Sequence, residues 1–371
     1  MVFMTPQERY QQDLGREDFS PDPTQRVAIR QAQRLFDGLL ASTPGAKGSA
    51  RSPWAFRRGG ARAKITPLKG IYFWGSVGRG KTYVMDTLFE CLPFSDKLRA
   101  HFHSFMLGIH RELKGLNNVR NPLDTVAERL AASTRVLCLD EFHVGDITDA
   151  MLLGNFFRAA FERGITLVAT SNEAPESLYW NGLQRERFLP AIALIQAHTD
   201  IVHIGGDVDY RLRRLERAQI YHCPPDPTAD TSLRSSFVRL ARGEGAINAA
   251  VEVQGRPIPA VRHADGVVWF DFDQICGGPR APSDYIEIAL CYQTVLIANI
   301  PCMDDKDNDK AKRFITLVDT FYDRNVKLIV LADATPVSLY QGRGLQSAFQ
   351  RTISRLEEMQ THAYLAKEHL P

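Results

Sequence analysis

The sequence predicts an α/β protein: a parallel sheet flanked by helices, followed by a C-terminal α/β unit. Short apolar runs at 71–74, 98–103, 136–139 and 165–170 have the length of buried strands, with helix-period stretches between them. Strands that alternate with helices imply a parallel sheet covered on both faces. A glycine loop separates the first run from a helix beginning at Lys81. Beyond Pro224 the pattern changes to a helix and then short alternating segments such as 249–253 and 266–272. A break is therefore expected near 225, giving an N-terminal arm 1–65, a core 66–225 and a C-terminal unit 226–371.

The arm carries a helical segment, 24–40, ended by a Ser/Gly/Pro-rich stretch to Pro53. Between Arg51 and Lys69 stand six basic residues and no acid, with Trp54 and Phe56 interleaved. That stretch reads either as a solvated loop or as a peripheral contact for a lipid headgroup, nucleic acid or an acidic partner. With 371 residues, 44% of them hydrophobic, the chain has enough material for a large core in two to three packed units. Lys plus Arg is 45 against 43 acids, so the whole surface offers no electrostatic attraction for nucleic acid or membrane, and no sequence-specific nucleic acid is expected. Six scattered cysteines without C-x-x-C spacing fit a reducing cytoplasm. The N-terminus has no charged-then-apolar signal and no apolar run reaches membrane-span length. The longest candidate, 288–303, carries Gln293, Thr294 and Asn299 and reads as a buried strand region.

The chain also echoes itself. Residues 136–179 read strand, helix, strand, turn, and 295–340 repeat that order, each ending in Leu-Tyr. Asp140 and Glu141 fall against Asn299 and Ile300, so the second copy has no acids at that place. Pattern similarity between α/β units and a degenerate duplication both account for this.

Gly75-Ser76-Val77-Gly78-Arg79-Gly80-Lys81-Thr82 matches G-x-x-x-x-G-K-[ST] between a strand and a helix, where the mechanism requires it. Glycines let the backbone wrap close to phosphate, so that successive N–H groups and the helix N-terminus face the anion. Lys81 should reach the β and γ phosphates, and the Thr82 hydroxyl should ligate Mg²⁺.

The strand 136–139 ends in Asp140-Glu141, which brings two carboxylates to the edge where the phosphate loop lies. Asp140 would hold Mg²⁺ and Glu141 would orient and polarise the attacking water. The next strand ends at Thr170-Ser171-Asn172; the Asn172 amide either bridges the γ-phosphate and the water or forms a turn. No Asn-Lys pair occurs, which disfavours a guanine-reading Asn-Lys-x-Asp motif, and Glu141 favours hydrolysis over transfer to a hydroxyl. Arg185 and Arg187, beside a proline-marked turn, read as surface ion-pairing residues or as arginines reaching a neighbouring subunit's phosphate.

These residues resemble the AAA+ ATPases of the ZapE and Afg type along nearly the whole chain. The most specific stretches are 74–82, 137–142 with 146–153, 164–172, 181–192, 209–213, 311–315, 321–328 and 349–359. The resemblance implies a P-loop AAA+ core with a lid-like helix in the C-terminal unit, and ATP hydrolysis with Mg²⁺. It makes Lys81 and Thr82 Walker A, Asp140 and Glu141 Walker B, Asn172 the first sensor and Arg185 or Arg187 the arginine finger. Arg351 or Arg355 would be the second sensor. It also implies a hexamer assembled on ATP binding, pore-loop residues at Phe105 and Met106, and a protein substrate, which for the bacterial members is the division-ring protein FtsZ. For the mitochondrial members the implied role is quality control of membrane proteins. Its location would be the cytoplasm, at the division site or peripheral to the inner membrane. Ser76 stands where the family commonly has glycine, and Ser104 where it has a basic residue. His101 and His103 read as alternating on one strand face, as structural histidines without a third metal ligand. A nucleotide-gated scaffold and a nucleic-acid ATPase are the competing classes.

Overall fold

The computed structural model describes residues 3–16, 19, 21–42, 68–76, 78–116, 119–205, 219–225, 229–241, 243–264 and 266–370. They form two compact units, Met1–Val208 and Asp209–Pro371. The basic stretch from Arg51 lies outside the described residues except at its end, where Lys69 pairs with Asp200 at 3.0 Å.

The first unit opens with helices α1 (Pro6–Leu14) and α2 (Pro23–Ala41). Asp22 caps α2, its Oδ1 accepting from the backbone N–H of Thr24 at 2.7 Å and of Gln25 at 3.3 Å, with Pro23 in the first turn. Such a cap satisfies donors that the helix itself leaves open. The apolar stripe of α2 (Ala28, Ile29, Ala32, Leu35, Phe36, Leu39) shares one core with Ile71, Phe73, Met85 and Val168. The segment expected to be a separate arm is thus a covering layer of the first sheet, because that stripe is buried there.

Five strands follow: β1 (Gly70–Trp74), β2 (Lys97–His101), β3 (Val136–Asp140), β4 (Thr166–Ser171) and β5 (Thr199–His203). Between them lie α3 (Lys81–Cys91), α4 (Phe102–Gly115), α5 (Pro122–Ser133), α6 (Ile147–Glu162) and α7 (Leu189–His198). The sheet order is β2-β3-β4-β1-β5, every pair parallel. The α6 side is filled by aromatic rings, Phe142 stacking on Phe157 at 6.0 Å and Phe157 on Phe161 at 5.6 Å. β2 stops at His101, two residues earlier than its apolar run suggested. His103 therefore stands on α4, not on a shared strand face with His101. Met106 is buried in the core and Phe105 packs edge-on against Phe156 at 5.4 Å, so within this unit neither occupies a loop.

The second unit starts earlier than the break expected near 225. The reason is β6 (Tyr221–His222), which pairs in parallel with β13 (Lys327–Ala332) in a sheet ordered β6-β13-β12-β11-β10-β7. Here β7 is Ala246–Ile247, β10 Arg262–Ala264, β11 Val267–Asp271 and β12 Thr294–Ile300, while β8 (Ala250–Val253) and β9 (Arg256–Pro259) make a hairpin. The span 288–303 is not all strand: its first residues end the helix Pro282–Cys291. The internal echo is one of topology. Strand order β11-β12-β13-β6 repeats β2-β3-β4-β1, again with parallel pairs. In place of the glycine loop, β6 is followed by Cys223-Pro224-Pro225.

Candidate functional site

The strand order of the first unit places three chain segments side by side at the carboxyl edge. β1 delivers the glycine loop, its neighbour β4 delivers Thr170 to Asn172, and β3 beyond it delivers Asp140 and Glu141. The loop needs its glycines. Gly75 has φ +148, and a Cβ there would lie 2.1 Å from the Ile204 carbonyl oxygen. Gly80, the N-cap of α3, has φ +88, a left-handed conformation that side chains resist. Val77 lies outside the described residues.

Lys81 starts α3 and is buried, 8% exposed. Its ammonium donates to the carbonyls of Gly75 at 2.7 Å and Ser76 at 2.8 Å and to Asn172 Oδ1 at 2.9 Å, spanning the loop and the end of β4. One residue on, the Thr82 hydroxyl donates to Asp140 Oδ1 at 3.2 Å. The Thr170 hydroxyl also donates to that oxygen, and itself accepts from the Glu141 backbone N–H at 3.1 Å. Arg99 Nη2 lies 3.0 Å from Asp140 Oδ2 and 2.8 Å from Asp86 Oδ1. Burial pushes the Asp140 carboxyl up, yet Arg99, His101 and the hydroxyls of Thr170 and Thr82 outweigh it and hold the group below its ordinary value. Asp140 is thus an anion inside the protein, the state a cation ligand requires.

Glu141 takes φ +52, uncommon for a residue with a side chain. This turn carries its carboxylate off the strand axis, where His101 Nδ1 stands 3.7 Å from Oε2. The residues that sequence reasoning passed over are Arg99 and Thr170. A signal existed in β2, where Lys97, Arg99 and His101 alternate on one face of a strand whose register sets His101 opposite Asp140.

The other expected residues lie elsewhere. Arg185 begins a short 3-10 turn, donates to the Glu176 carbonyl at 2.5 Å and sits 4.9 Å over the Trp180 ring; Arg187 is exposed, with Met151 Sδ at 3.9 Å. In the second unit, Arg351 pairs with Asp319, and Arg355 pairs with Asp319 at 2.5 Å and Asp323 at 3.5 Å, all on the helix Asn308–Asp323.

The donor set fits a nucleoside triphosphate with a divalent cation. A buried ammonium, glycine backbone and a helix N-terminus suit phosphate. Thr82 and Asp140 are oxygen ligands of the kind Mg²⁺ combines with waters and substrate phosphates. Among the described residues no helix is long and apolar enough to cross a membrane.

Comparison with known proteins accords with this chemistry. The AFG1-like ATPase profile matches residues 4–368. The cell division protein ZapE of Escherichia coli K12 is 41% identical over 376 residues, covering all of both chains. Lactation elevated protein 1 homolog B of Danio rerio is 35% identical over 349 residues, 81% of this chain and 69% of that one. Among solved structures, DnaI covers 51% of this chain and 86% of its own at 19% identity, with a TM-score of 0.34, too slight a likeness to carry weight. A match from residue 4 to residue 368, with a full-length relative at 41% identity, makes this chain a member of the AFG1-like ATPase family.

Proposed function

We propose that this ATPase hydrolyses Mg-ATP at the edge formed by β1, β3 and β4, and couples turnover to remodelling of a protein partner. The observation that carries the reading is the Lys81 ammonium joining the phosphate loop to Asn172, beside a Thr82–Asp140 pair kept anionic by Arg99. Lys81 neutralises charge on the β and γ phosphates, and Thr82 and Asp140 would hold Mg²⁺, which when bound would supply positive charge beside the phosphate oxygens. Glu141 takes a proton from the attacking water, and Asn172 orients that water against the γ-phosphate. Ground-state contacts made by Lys81 bind nucleotide, whereas the Glu141 contact with the attacking water grows in the transition state and so acts on turnover.

Arg185 or Arg187 completes the site of a neighbouring subunit in a hexamer that assembles on ATP binding. Arg351 or Arg355 is the second-sensor arginine that the family resemblance implies. The kinship with ZapE, a cell division protein, supports a division-site location and a cell-division partner, for which the family resemblance implies FtsZ; quality control of membrane proteins, with contact through the basic stretch after Arg51, is the alternative within the same family.

The deciding experiment is steady-state ATPase rate per subunit against protein concentration, for the wild type, Arg185→Ala and Arg187→Ala, with sizing of the same samples. A rate that climbs with concentration and collapses in one variant supports shared sites, since an arginine supplied in trans is worth about 10³ to 10⁵ in turnover. A monomer with a flat rate indifferent to both substitutions would refute them. FtsZ is tested by the same assay, through stimulation of turnover on adding FtsZ polymer; no stimulation and no co-sedimentation would remove it.

A further inference from the structure

We propose that Gln25, on the N-terminal helix α2, reads the edge of the adenine base and makes the site specific for ATP over GTP. The inference rests on the Mg-ATP reading above and adds the base-recognising half of the site.

Gln25 is 2% exposed, among the most buried polar residues of the protein. Its side-chain Nε2 donates to the backbone carbonyl of Arg79, inside the phosphate loop, at 3.0 Å. A carbonyl accepts only from the nitrogen end of an amide, so this contact fixes the orientation of the group. The other end, Oε1, is buried and has no hydrogen-bond partner among the described residues. The amide also lies against the last glycine of the loop: a Cβ on Gly80 would fall 2.5 Å from Nε2. Buried polar atoms are nearly always paired, and one left open beside a phosphate loop calls for a ligand donor. Propping the loop needs only the nitrogen and gives no reason for an unmatched oxygen.

The first turn of α2 is held firmly enough to aim that amide. Thr24 Oγ1 donates to the carbonyl of Gly205, just past β5, at 2.8 Å, and Asp22 caps the helix. One turn into α3, Tyr83 packs its ring 5.1 Å from Phe19 and donates its hydroxyl to Asp13 at 2.8 Å. These half-buried rings, in the core shared by α2 and α3, supply an apolar face of the kind bases stack on.

What the amide has left is one acceptor, Oε1, and the second N–H of Nε2. Adenine presents the complement on one edge: an N6 amino donor beside the N7 acceptor. Guanine presents acceptors at both O6 and N7, so its O6 would face the Oε1 lone pairs. A bidentate amide–adenine pair discriminates by roughly tenfold to a hundredfold.

The test measures dissociation constants of the full chain, with Mg²⁺, for ATP, GTP, 7-deaza-ATP (no N7 acceptor) and purine riboside triphosphate (no N6 amino group). Wild type should bind ATP about tenfold to a hundredfold more tightly than the other three, a result that needs no variant. In Gln25→Ala, ATP should weaken until all four nucleotides agree within about threefold, while the three analogues barely move. Equal weakening of all four in Gln25→Ala would show that the residue only holds the loop, and unchanged ATP affinity would show that it does nothing to the base; either overturns the base reading alone. Failure of wild type to bind any of the four would overturn the nucleotide site itself, and this inference with it.

Discussion

Replacing Glu141 with glutamine separates binding from hydrolysis. The structure sets the expected size of each effect. The backbone N–H of Glu141, bonded to Asp140 Oδ1 at 3.2 Å and Thr170 Oγ1 at 3.1 Å, is untouched by the substitution. Glutamine keeps the volume and can hold the same left-handed φ of +52. What is lost is the charge facing His101 at 3.7 Å, on a side chain about a quarter exposed. Solvent screening limits that loss to less than about 1 kcal/mol, which moves the melting temperature by no more than about 2–4 °C. Binding of ATP should be retained, because the amide touches none of the groups that hold phosphate. Turnover should fall by about 10² to 10⁴, the range for removal of a general base. Calorimetric melting, equilibrium ATP binding and steady-state hydrolysis on one preparation check all three. Wild-type turnover in Glu141→Gln, with ATP still bound, would refute the assignment of the base.

Lys81→Ala should weaken ATP by at least about a hundredfold, through loss of a charge-assisted contact in a largely dry site, as read by equilibrium binding; affinity within threefold of wild type would contradict the phosphate-loop geometry. Arg99→Met leaves Asp140, 2% exposed, without its guanidinium partner, and should destabilise the nucleotide-free protein by about 3 kcal/mol at pH 7 in chelator. The pH dependence has a definite sign. In the wild type the folded Asp140 carboxyl lies below its ordinary unfolded value, so its stabilisation is present above that ordinary value and lost as pH falls through the lowered folded one. In the variant, burial acts unopposed by Arg99, so acid relieves the penalty, and the gap between the two proteins should narrow toward pH 4 in denaturant titrations. Burial pushes the thiols of Cys138 and Cys276 up to about 12, whereas Cys302 is exposed. Iodoacetamide at pH 8 followed by mass spectrometry should therefore mark Cys302 first and leave Cys138 and Cys276 unmarked while the chain is folded.

The parts of this protein that are legible in its sequence are those whose chemistry is local. A glycine loop between strand and helix, a lysine and threonine at the helix start, and an acid pair ending an apolar strand each lie within a few residues. Backbone geometry over that range depends little on the rest of the chain. The alternation of strands and helices likewise announces a parallel sheet, because right-handed crossovers leave few other arrangements. Tertiary structure alone decided which distant residues meet. The sheet order puts Arg99 and Thr170 on Asp140, and the packing of α2 over β1 and α3 brings Gln25 to a carbonyl 54 positions away. Only strand pairing shows that Tyr221–His222 belongs to the second sheet, since two residues are too few to carry a periodic signal. Period and motif report what a segment prefers to become. Which neighbour satisfies a buried charge or an open amide depends on the whole sheet closing around it.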